Sequence, residues 1–445
     1  MKKNLLLLLL VSAALPVAAF DPLGAYTVKA PEGCVDKDVT SEELSLLDLF
    51  QISICTNPSL NAQYMGVKAT EAGLGMARSE YLPSIVLTGQ GNITGERTEL
   101  QDRYTQNEPY SGKASASWLL FDWGGRESRV RATRAYLHAA QFGYNAAIQD
   151  LFLAVQRAYL NLLAAKESLT SAKASLDTYQ QSYNEAQKRY KLGMVSLSDK
   201  LQAKTRYEQA VLSVVTAENS VNLANGTLAV LLNLKPSVQL RLEVPQFNDD
   251  FITIENDDVE QLMAEALQNR PEIYAGTNKE VAAKANLQSA RAQNLPAFSA
   301  NASAAYGDNW KKSSPYKTET AAGLTVSMPL FTGFSNTYGT EQASYAYKQA
   351  QADTRNLKLA IQNEVWANYQ NYKTALRSYT ISQTVLESAE ENERVAFRYY
   401  TVGKGDIINL LSAVAQLADA RQNKITAFYS LLLSKANLYR SIGKY

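Results

Sequence analysis

Proline is missing from two long stretches of the sequence, and this constrains the fold more than any other feature. No proline occurs between Pro109 and Pro236, or after Pro329. Glycine is scarce in the same stretches, since 127–192 and 335–402 contain one glycine each. Because proline breaks helices and glycine weakens them, the sequence predicts two very long helices. At about 1.5 Å per residue, the first would be roughly 100 Å long.

The first long helix carries a coiled-coil seam, in which apolar residues recur with alternating spacings of four and three. Each long helix leads into a glycine turn, at Gly193 and at Gly403, and an apolar run of helical period follows each turn. We therefore predict two antiparallel helical hairpins, over 126–233 and 335–442. The seam of the first helix consists of Tyr144, Ile148, Leu151, Val155, Ala158, Leu162, Ala165, Leu169, Ala172, Leu176, Tyr179, Tyr183, Ala186 and Tyr190.

The two hairpins belong to an internal duplication of the chain. The turn glycines are 210 residues apart (403 − 193), and the same offset relates Phe121 to Phe331. The sequence thus predicts two structural repeats, at about 41–233 and 257–443. The segment that joins them, 234–256, is acidic and contains proline, and it is predicted to be a linker.

Four segments alternate apolar and polar residues with a period of two, which is the pattern of a strand with one apolar face. The polar stretches between the members of each pair, 95–112 and 308–320, are predicted to be loops. Both a membrane-embedded sheet and a pair of ordinary hairpins on a soluble sheet fit this pattern. The four predicted strands are about 84–94, 113–121, 297–306 and 322–331.

Four strands in a membrane cannot stand alone. Lipid offers no hydrogen bonds to an unpaired strand edge, and the smallest membrane barrels have about eight strands. Two copies would give a barrel filled by its own side chains, whereas three would leave a lumen, which the polar strand faces favour. The predicted fold class is therefore mixed α and β. Long α-helical coiled-coil hairpins in two repeats accompany four amphipathic β-strands, which form a third of a twelve-stranded trimeric membrane barrel.

The N-terminus has the features of a secretory signal peptide. Two lysines precede an apolar run that ends in small residues at Ala19, so 1–19 is predicted to be removed outside the cytoplasm. In an oxidising compartment, Cys34 and Cys55 are predicted to form a disulfide. Two buried free thiols are the alternative.

Composition argues against several classes of protein. The net charge of +1 gives no reason to expect nucleic acid as a partner. His138 is the only histidine and there are only two cysteines, so we expect neither a metal site nor a cofactor. No nucleophile–base pair or phosphate-binding loop is recognisable, and we expect no enzymatic activity. Beyond the signal peptide, no apolar stretch is long enough for a transmembrane helix.

Over about residues 40–443, the chain resembles the TolC family of outer-membrane channel proteins. The resemblance rests on the duplicated "LP…LF" strand pairs, the "NRPE" segment from Asn269, and the two tips, "LGMVSLSD" from Leu192 and "YYTVGKGD" from Tyr399. It implies a homotrimeric channel in the lipid of the cell outer membrane, with a long periplasmic portion. Such a channel is the exit duct for drug efflux or type I protein secretion. Its partners are a periplasmic adaptor protein and an inner-membrane transporter of the ABC or RND type.

The resemblance also implies a gate at the hairpin tips. The family's gate aspartate falls on Asp199 and its tyrosine partner on Tyr400. Gly405 stands where the family has an arginine, and Lys404 is adjacent to it. We predict that an Asp199–Tyr400 hydrogen bond, with Lys404 nearby, is a latch of the closed state.

Carboxylate rings just inside the tips of some family members have no direct counterpart here. Their positions fall on Asn409 and Ser412. Asp406, one turn nearer the tip, is the residue that would supply a threefold carboxylate ring instead. The alternative for these tip residues is helix capping, for which Ser196 and Asp406 are suitable N-cap types.

The exposed turns are predicted to be the surface where the adaptor docks. Apolar residues at a solvent-facing tip otherwise lack a reason. The competing prediction for the whole chain is a soluble periplasmic coiled-coil adaptor, but an adaptor needs one hairpin, and this chain has two of them together with four strands. The predicted docking residues are Gly193, Met194, Val195, Ser196, Gly403 and Gly405.

Overall fold

The computed structural model describes residues 43–98, 103–244, 254, 258–309 and 316–444. The predicted signal peptide, Cys34 and part of the predicted linker lie outside these residues.

Two compact units divide the chain. We call the first the sheet unit; it consists of Gly66–Gln141 and Ala275–Thr354. We call the second the hairpin unit; its described parts are 43–65, Phe142–Tyr274 and the chain from Arg355 onward.

Helices account for most of the described residues. The predicted pair of long helices is confirmed, and each is 67 residues long. No described helix combines the length and the apolar character needed to cross a membrane. The helices are α1 (Leu46–Thr56), α2 (Pro58–Ser79), α3 (Gly125–Lys191), α4 (Leu197–Leu231), α5 (Val259–Asn269), α6 (Pro271–Ala292), α7 (Ser335–Thr401) and α8 (Ile407–Ile442).

The sheet unit contains one four-stranded antiparallel sheet. Its strands follow the order β1-β4-β5-β6, so that β4 and β5 pair directly across the two repeats. A separate two-stranded hairpin is formed by β2 and β3. The strands are β1 (Ser84–Gly91), β2 (Thr94–Thr98), β3 (Arg103–Asn107), β4 (Pro109–Phe121), β5 (Ala297–Asn309) and β6 (Lys317–Ser327).

One face of the four-stranded sheet is apolar, as the alternation predicts. Ile85 lies opposite Ala116, Ala116 opposite Ala302, and Ala300 opposite Leu324. The other face carries Ser, Thr, Asn and Lys side chains. Both faces are largely exposed: Leu324, for example, retains 79% of its accessible surface.

The strand ends differ from the prediction in two places. The stretch 95–112 is not a loop, because β2, β3 and the start of β4 occupy much of it. In the second repeat, β6 begins at Lys317, inside the predicted loop 308–320, and ends at Ser327 rather than near 331. Backbone pairing needs no apolar side chains, so polar residues extend these ladders. Pro329 has no amide hydrogen to donate, and β6 ends just before it.

The hairpin unit is held together by the predicted seam. Val155 and Leu162 of α3 pack with Leu228 of α4 and with residues of α8 in one buried cluster. A second cluster joins Ile361 of α7 to Leu438 of α8 and to α5. Each fully buried aliphatic side chain stabilises the fold by about 1.5–3 kcal/mol, so packing supports these helices.

The "NRPE" segment takes part in an ion cluster around two buried arginines of the hairpin unit. Arg270 donates to Glu272 at 2.8 Å and to Glu364 of α7 at 2.5 Å. Arg440 of α8 contacts Glu272 at 2.6 Å and Asp150 of α3 at 2.8 Å. Burial alone would raise the pKa of Glu272, but hydrogen bonds from Arg270 and Arg440 lower that pKa to about 2. The cluster ties α3, α6, α7 and α8 together.

Candidate functional site

The candidate site lies in the hairpin unit, at the first tip (191–199) and the second tip (401–409). Both tips turn on a glycine in the left-handed region, with φ of 69° at Gly193 and 80° at Gly403. In each tip, the amide of the residue after the glycine donates to a carbonyl five residues back, at 2.9 Å in the first and 3.0 Å in the second. Side chains disfavour positive φ, so glycine permits this tight turn.

Each return helix is capped at its N-terminus by a side chain of the tip. In the first tip, the Asp199 amide donates to Ser196 Oγ at 3.1 Å, and the Ser196 amide donates to Asp199 Oδ2 at 3.1 Å. In the second, the backbone and side-chain nitrogens of Asn409 donate to the two Asp406 carboxylate oxygens, both at 2.7 Å. These bonds satisfy amides that would otherwise be left without partners at the start of α4 and α8.

The capping alternative is therefore the arrangement present in the chain. Both oxygens of Asp406 accept hydrogen bonds from Asn409, so this carboxylate is engaged locally. Ser412 lies on the exposed side of α8. Asp406 as a threefold carboxylate ring stays a prediction that these contacts do not favour.

Tyr400 is buried, but it is not hydrogen-bonded to Asp199. Its side chain retains 1% of its accessible surface, and its hydroxyl has no hydrogen-bond partner among the described residues. The pKa of Tyr400 is raised, mainly by burial. The charge of Asp199 also raises this pKa, whereas the charge of Arg189 lowers it. The predicted Asp199–Tyr400 bond is thus absent within a single chain, because the carboxylate of Asp199 caps α4 instead.

Arg189, which was not among the residues predicted from the sequence, is the cation beside Tyr400, where Lys404 was predicted to lie. Its guanidinium lies 4.7 Å from the centre of the Tyr400 ring, and Nη2 donates to the Thr401 carbonyl at 2.6 Å. Lys404 is exposed and forms no ion pair within the described part of the chain. The feature of the sequence that could have identified Arg189 is its position as a basic residue in the last turn of α3, one turn before the glycine.

A groove of about 670 Å³ separates the two tips, and we call it the tip groove. Several apolar side chains on its rim are exposed: Met194 by 69%, Val402 by 66% and Ile408 by 61%. Arg189, Asp199 and Asp406 add one basic and two acidic side chains to its lining. Such a surface suits the docking of another protein chain.

Other predicted residues lie elsewhere. Cys55, on α1, is disulfide-bonded; since Cys34 lies outside the described residues, their pairing stays a prediction. His138 is exposed and contacts Gln141 at 3.1 Å. No group of three His, Cys, Asp or Glu side chains that could hold a metal ion occurs in the part of the chain that the structure describes.

Comparison with known proteins gives consistent matches along the chain. Residues 49–234 and 262–444 match the family model described as outer membrane efflux protein. The chain is 27% identical to protein CyaE of Bordetella pertussis, covering 95% of this chain and 90% of that protein. It is 25% identical to the outer membrane protein TolC of Vibrio cholerae, covering 94% of each. The structure of the outer-membrane channel OprN is similar in fold, with a TM-score of 0.78 and 19% identity over 94% of this chain and 98% of that one.

Proposed function

The chain belongs to the outer membrane efflux protein family, and from that premise we propose that three copies form one gated channel. Each copy contributes four strands to a twelve-stranded barrel in the outer membrane, and its hairpins form a periplasmic tunnel. The channel is the passive exit duct of a tripartite efflux pump or of a type I secretion system. Proteins of this family are channels and not enzymes.

The observation that carries this proposal is the open apolar sheet. Strands β1 and β6 lie at its two ends, and neither edge pairs with another described strand. The apolar face is exposed, with 76% of Ile85 and 59% of Val326 accessible. Unpaired edges are not tolerated in lipid, so a membrane sheet of this kind requires β6 of one copy to pair with β1 of the next.

Aromatic side chains border the apolar face at both ends. On β4, Tyr110 and Trp118 share this face, and on β5 it carries Tyr306 and Phe298, with Ala or Gly between them. The rings of Tyr110 and Tyr306 lie 6.5 Å apart. Eight residues of strand correspond to about 26 Å, which is close to the height of the apolar band of outer-membrane barrels, about 25 Å. This arrangement supports insertion of the sheet into a bilayer.

Exposed apolar stripes on two helices support a ring of copies. On α4, Leu201, Leu212 and Leu223 recur every 11 residues and are at least half exposed. On α7, Leu359 and Trp366 are a heptad apart and exposed by 65% and 47%. Two different surfaces that meet head to tail generate a ring when the rotation between copies closes, and we propose that α4 of one copy packs on α7 of its neighbour in such a ring.

The tips supply the gate and the docking surface of this channel. We propose that Asp199, Tyr400, Lys404, Asp406, Asn409 and Ser412 lie at the periplasmic constriction. The tip groove, with Gly193, Met194, Val195, Ser196, Gly403 and Gly405 around it, receives a periplasmic adaptor. The adaptor links the channel to an ABC or RND transporter of the inner membrane.

Mass and conductance of the detergent-purified protein test this function. The expected result is a particle of three copies that inserts into planar lipid bilayers and carries ions. A monomer that dissolves in buffer without detergent would instead support the soluble adaptor. A trimer that never conducts, even in the tip variants described below, would exclude a channel.

A further inference from the structure

Arg189 joins the two hairpins of one chain through a single side chain. It lies in the last turn of α3, where its Nε donates to Glu185 Oε1 of the same helix at 3.2 Å. Its Nη2 donates to the Thr401 carbonyl at 2.6 Å, and its guanidinium carbon lies over the Tyr400 ring, 4.7 Å from the ring centre. The Arg189 side chain retains only 13% of its accessible surface. Glu185 therefore orients the guanidinium from one side, while α7 receives it from the other.

The acceptor of the hydrogen bond from Arg189 is a carbonyl at the end of a helix. Thr401 is the last residue of α7, and the last carbonyls of a helix lack intrahelical partners and carry the negative end of its dipole. A cation at this point satisfies an orphan carbonyl and the dipole together. The Tyr400 ring, buried beneath the guanidinium, adds a cation–π contact. All of these interactions are lost when the end of α7 moves away from α3.

From these contacts we propose that Arg189 is the latch that holds the second tip against the first hairpin within each copy. This inference rests on the proposed channel function and names the residue that regulates its gate. When the latch is closed, the end of α7 is held against α3 and the constriction is narrow. When an adaptor in the tip groove displaces Arg189 from Thr401 and Tyr400, the second hairpin is free to move outward and the constriction widens.

Lys191 provides the matched control for charge. Like Arg189, it is a cation in the last turn of α3, but its side chain is exposed and has no ion-pair partner among the described residues. Lys191→Ala removes the same charge without touching the contact between Arg189 and the end of α7. Arg189→Lys keeps the charge but loses the planar fork that serves the carbonyl and the ring together.

Two measurements on the full-length protein in detergent and in bilayers test the latch. Hydrogen exchange of the amides in 400–406 reports whether the second tip is held, whether or not the channel conducts. We expect exchange there to accelerate about fivefold or more in Arg189→Ala, as for the loss of a largely buried cation–π contact. It should accelerate less in Arg189→Lys and stay unchanged in Lys191→Ala. Exchange in the buried cluster around Val155 and Leu228 is expected to be unaffected.

The same variants are then compared as channels. Arg189→Ala should raise the open probability in planar bilayers about fivefold or more, while Lys191→Ala matches the wild type. Unchanged exchange at 400–406 in Arg189→Ala would show that the residue does not hold the tip. Faster exchange with unchanged open probability would show that the contact is structural and has no part in gating. If no variant conducts at all, the channel function itself fails, and the exchange result still decides whether Arg189 holds the tip.

Discussion

The first and second tips are copies of one sequence pattern, yet the same position has opposite surroundings in each. Tyr190 and Tyr400 are equivalent at the 210-residue offset. Tyr190 is 37% exposed and has Lys200 over its ring at 5.1 Å. Tyr400 is 1% exposed and has Arg189 over its ring at 4.7 Å. The backbone turn and the helix cap are duplicated, but the burial of the aromatic ring is not.

This difference shows where the two repeats have diverged. The second tip packs into a cluster with Ala186 of α3, Ala203 of α4 and Leu410 of α8, in which Tyr400 is the largest side chain that is less than 2% exposed. In the first tip, by contrast, the Met194 side chain is exposed to solvent. A tip with a buried anchor can be held or released, whereas an exposed tip offers a surface. We therefore propose that the second tip acts in the gate and that the first supplies much of the docking rim.

The largest expected effect comes from removing the buried ring. Tyr400→Ala should destabilise the second tip by about 3 kcal/mol or more, because a large side chain leaves a cavity in a packed cluster. Tyr190→Ala should cost less than about 1 kcal/mol at its exposed position. Local hydrogen exchange at each tip measures both. Equal losses at the two tips would contradict the asymmetry described here.

A smaller loss of stability is expected from exchanging the residues two positions after the turn glycines. Val195 and Gly405 are equivalent, but a Cβ at Gly405 would lie 3.2 Å from the Tyr400 amide nitrogen. Gly405→Val should destabilise the second tip by about 1–3 kcal/mol through overpacking. Val195→Gly should change the first tip far less. Thermal melting of the two variants, with exchange at both tips, tests this; tolerance of valine at 405 would mean that the second tip is looser than the structure indicates.

The caps should behave alike in the two tips. Ser196→Ala and Asp406→Ala each remove the side-chain acceptor at the start of a return helix, at an expected cost of about 1 kcal/mol. The measurement is again hydrogen exchange, over the first turns of α4 and α8. A much larger effect of Asp406→Ala on conductance than on exchange would indicate that this carboxylate also acts in the pore.

The smallest effect concerns the Tyr400 hydroxyl and alkaline pH. Since burial raises the pKa of Tyr400, the unfolded chain loses this proton at lower pH than the folded chain does. The resulting stability is present below about pH 10 and falls as the pH rises above that value. Tyr400→Phe should be nearly neutral at pH 7, because the hydroxyl has no partner to lose. It should also remove part of the alkaline loss, which denaturation curves at pH 8 and pH 11 would reveal.

Several elements were predictable because they depend on local rules. The absence of proline from two long stretches predicted the long helices, and the period-two alternation of apolar and polar residues predicted the two faces of the sheet. Hairpin β2–β3 was not predictable, because Thr94–Thr98 and Arg103–Asn107 are polar and lack that alternation; pairing between their backbones forms the ladder. At the tips, the glycine turns and capping residues follow from sequence. The contact from Arg189 to Thr401 spans 212 residues, and no local pattern indicates such a partner.

The amino-acid sequence by itself determined the two repeats, the helical hairpins and the amphipathic strands, because each rests on residue spacing along the chain. Its strand and tip motifs also carried the resemblance to the family. Only the tertiary structure decided which tyrosine is buried, which cation faces it, and that Asp199 serves a helix rather than Tyr400. Those outcomes depend on how four helices pack at their ends. Several side chains near the tips have suitable chemistry for these contacts, and the packing of the hairpins decides which of them come close enough to interact. The distance between the hairpins cannot be deduced from the sequence of either repeat.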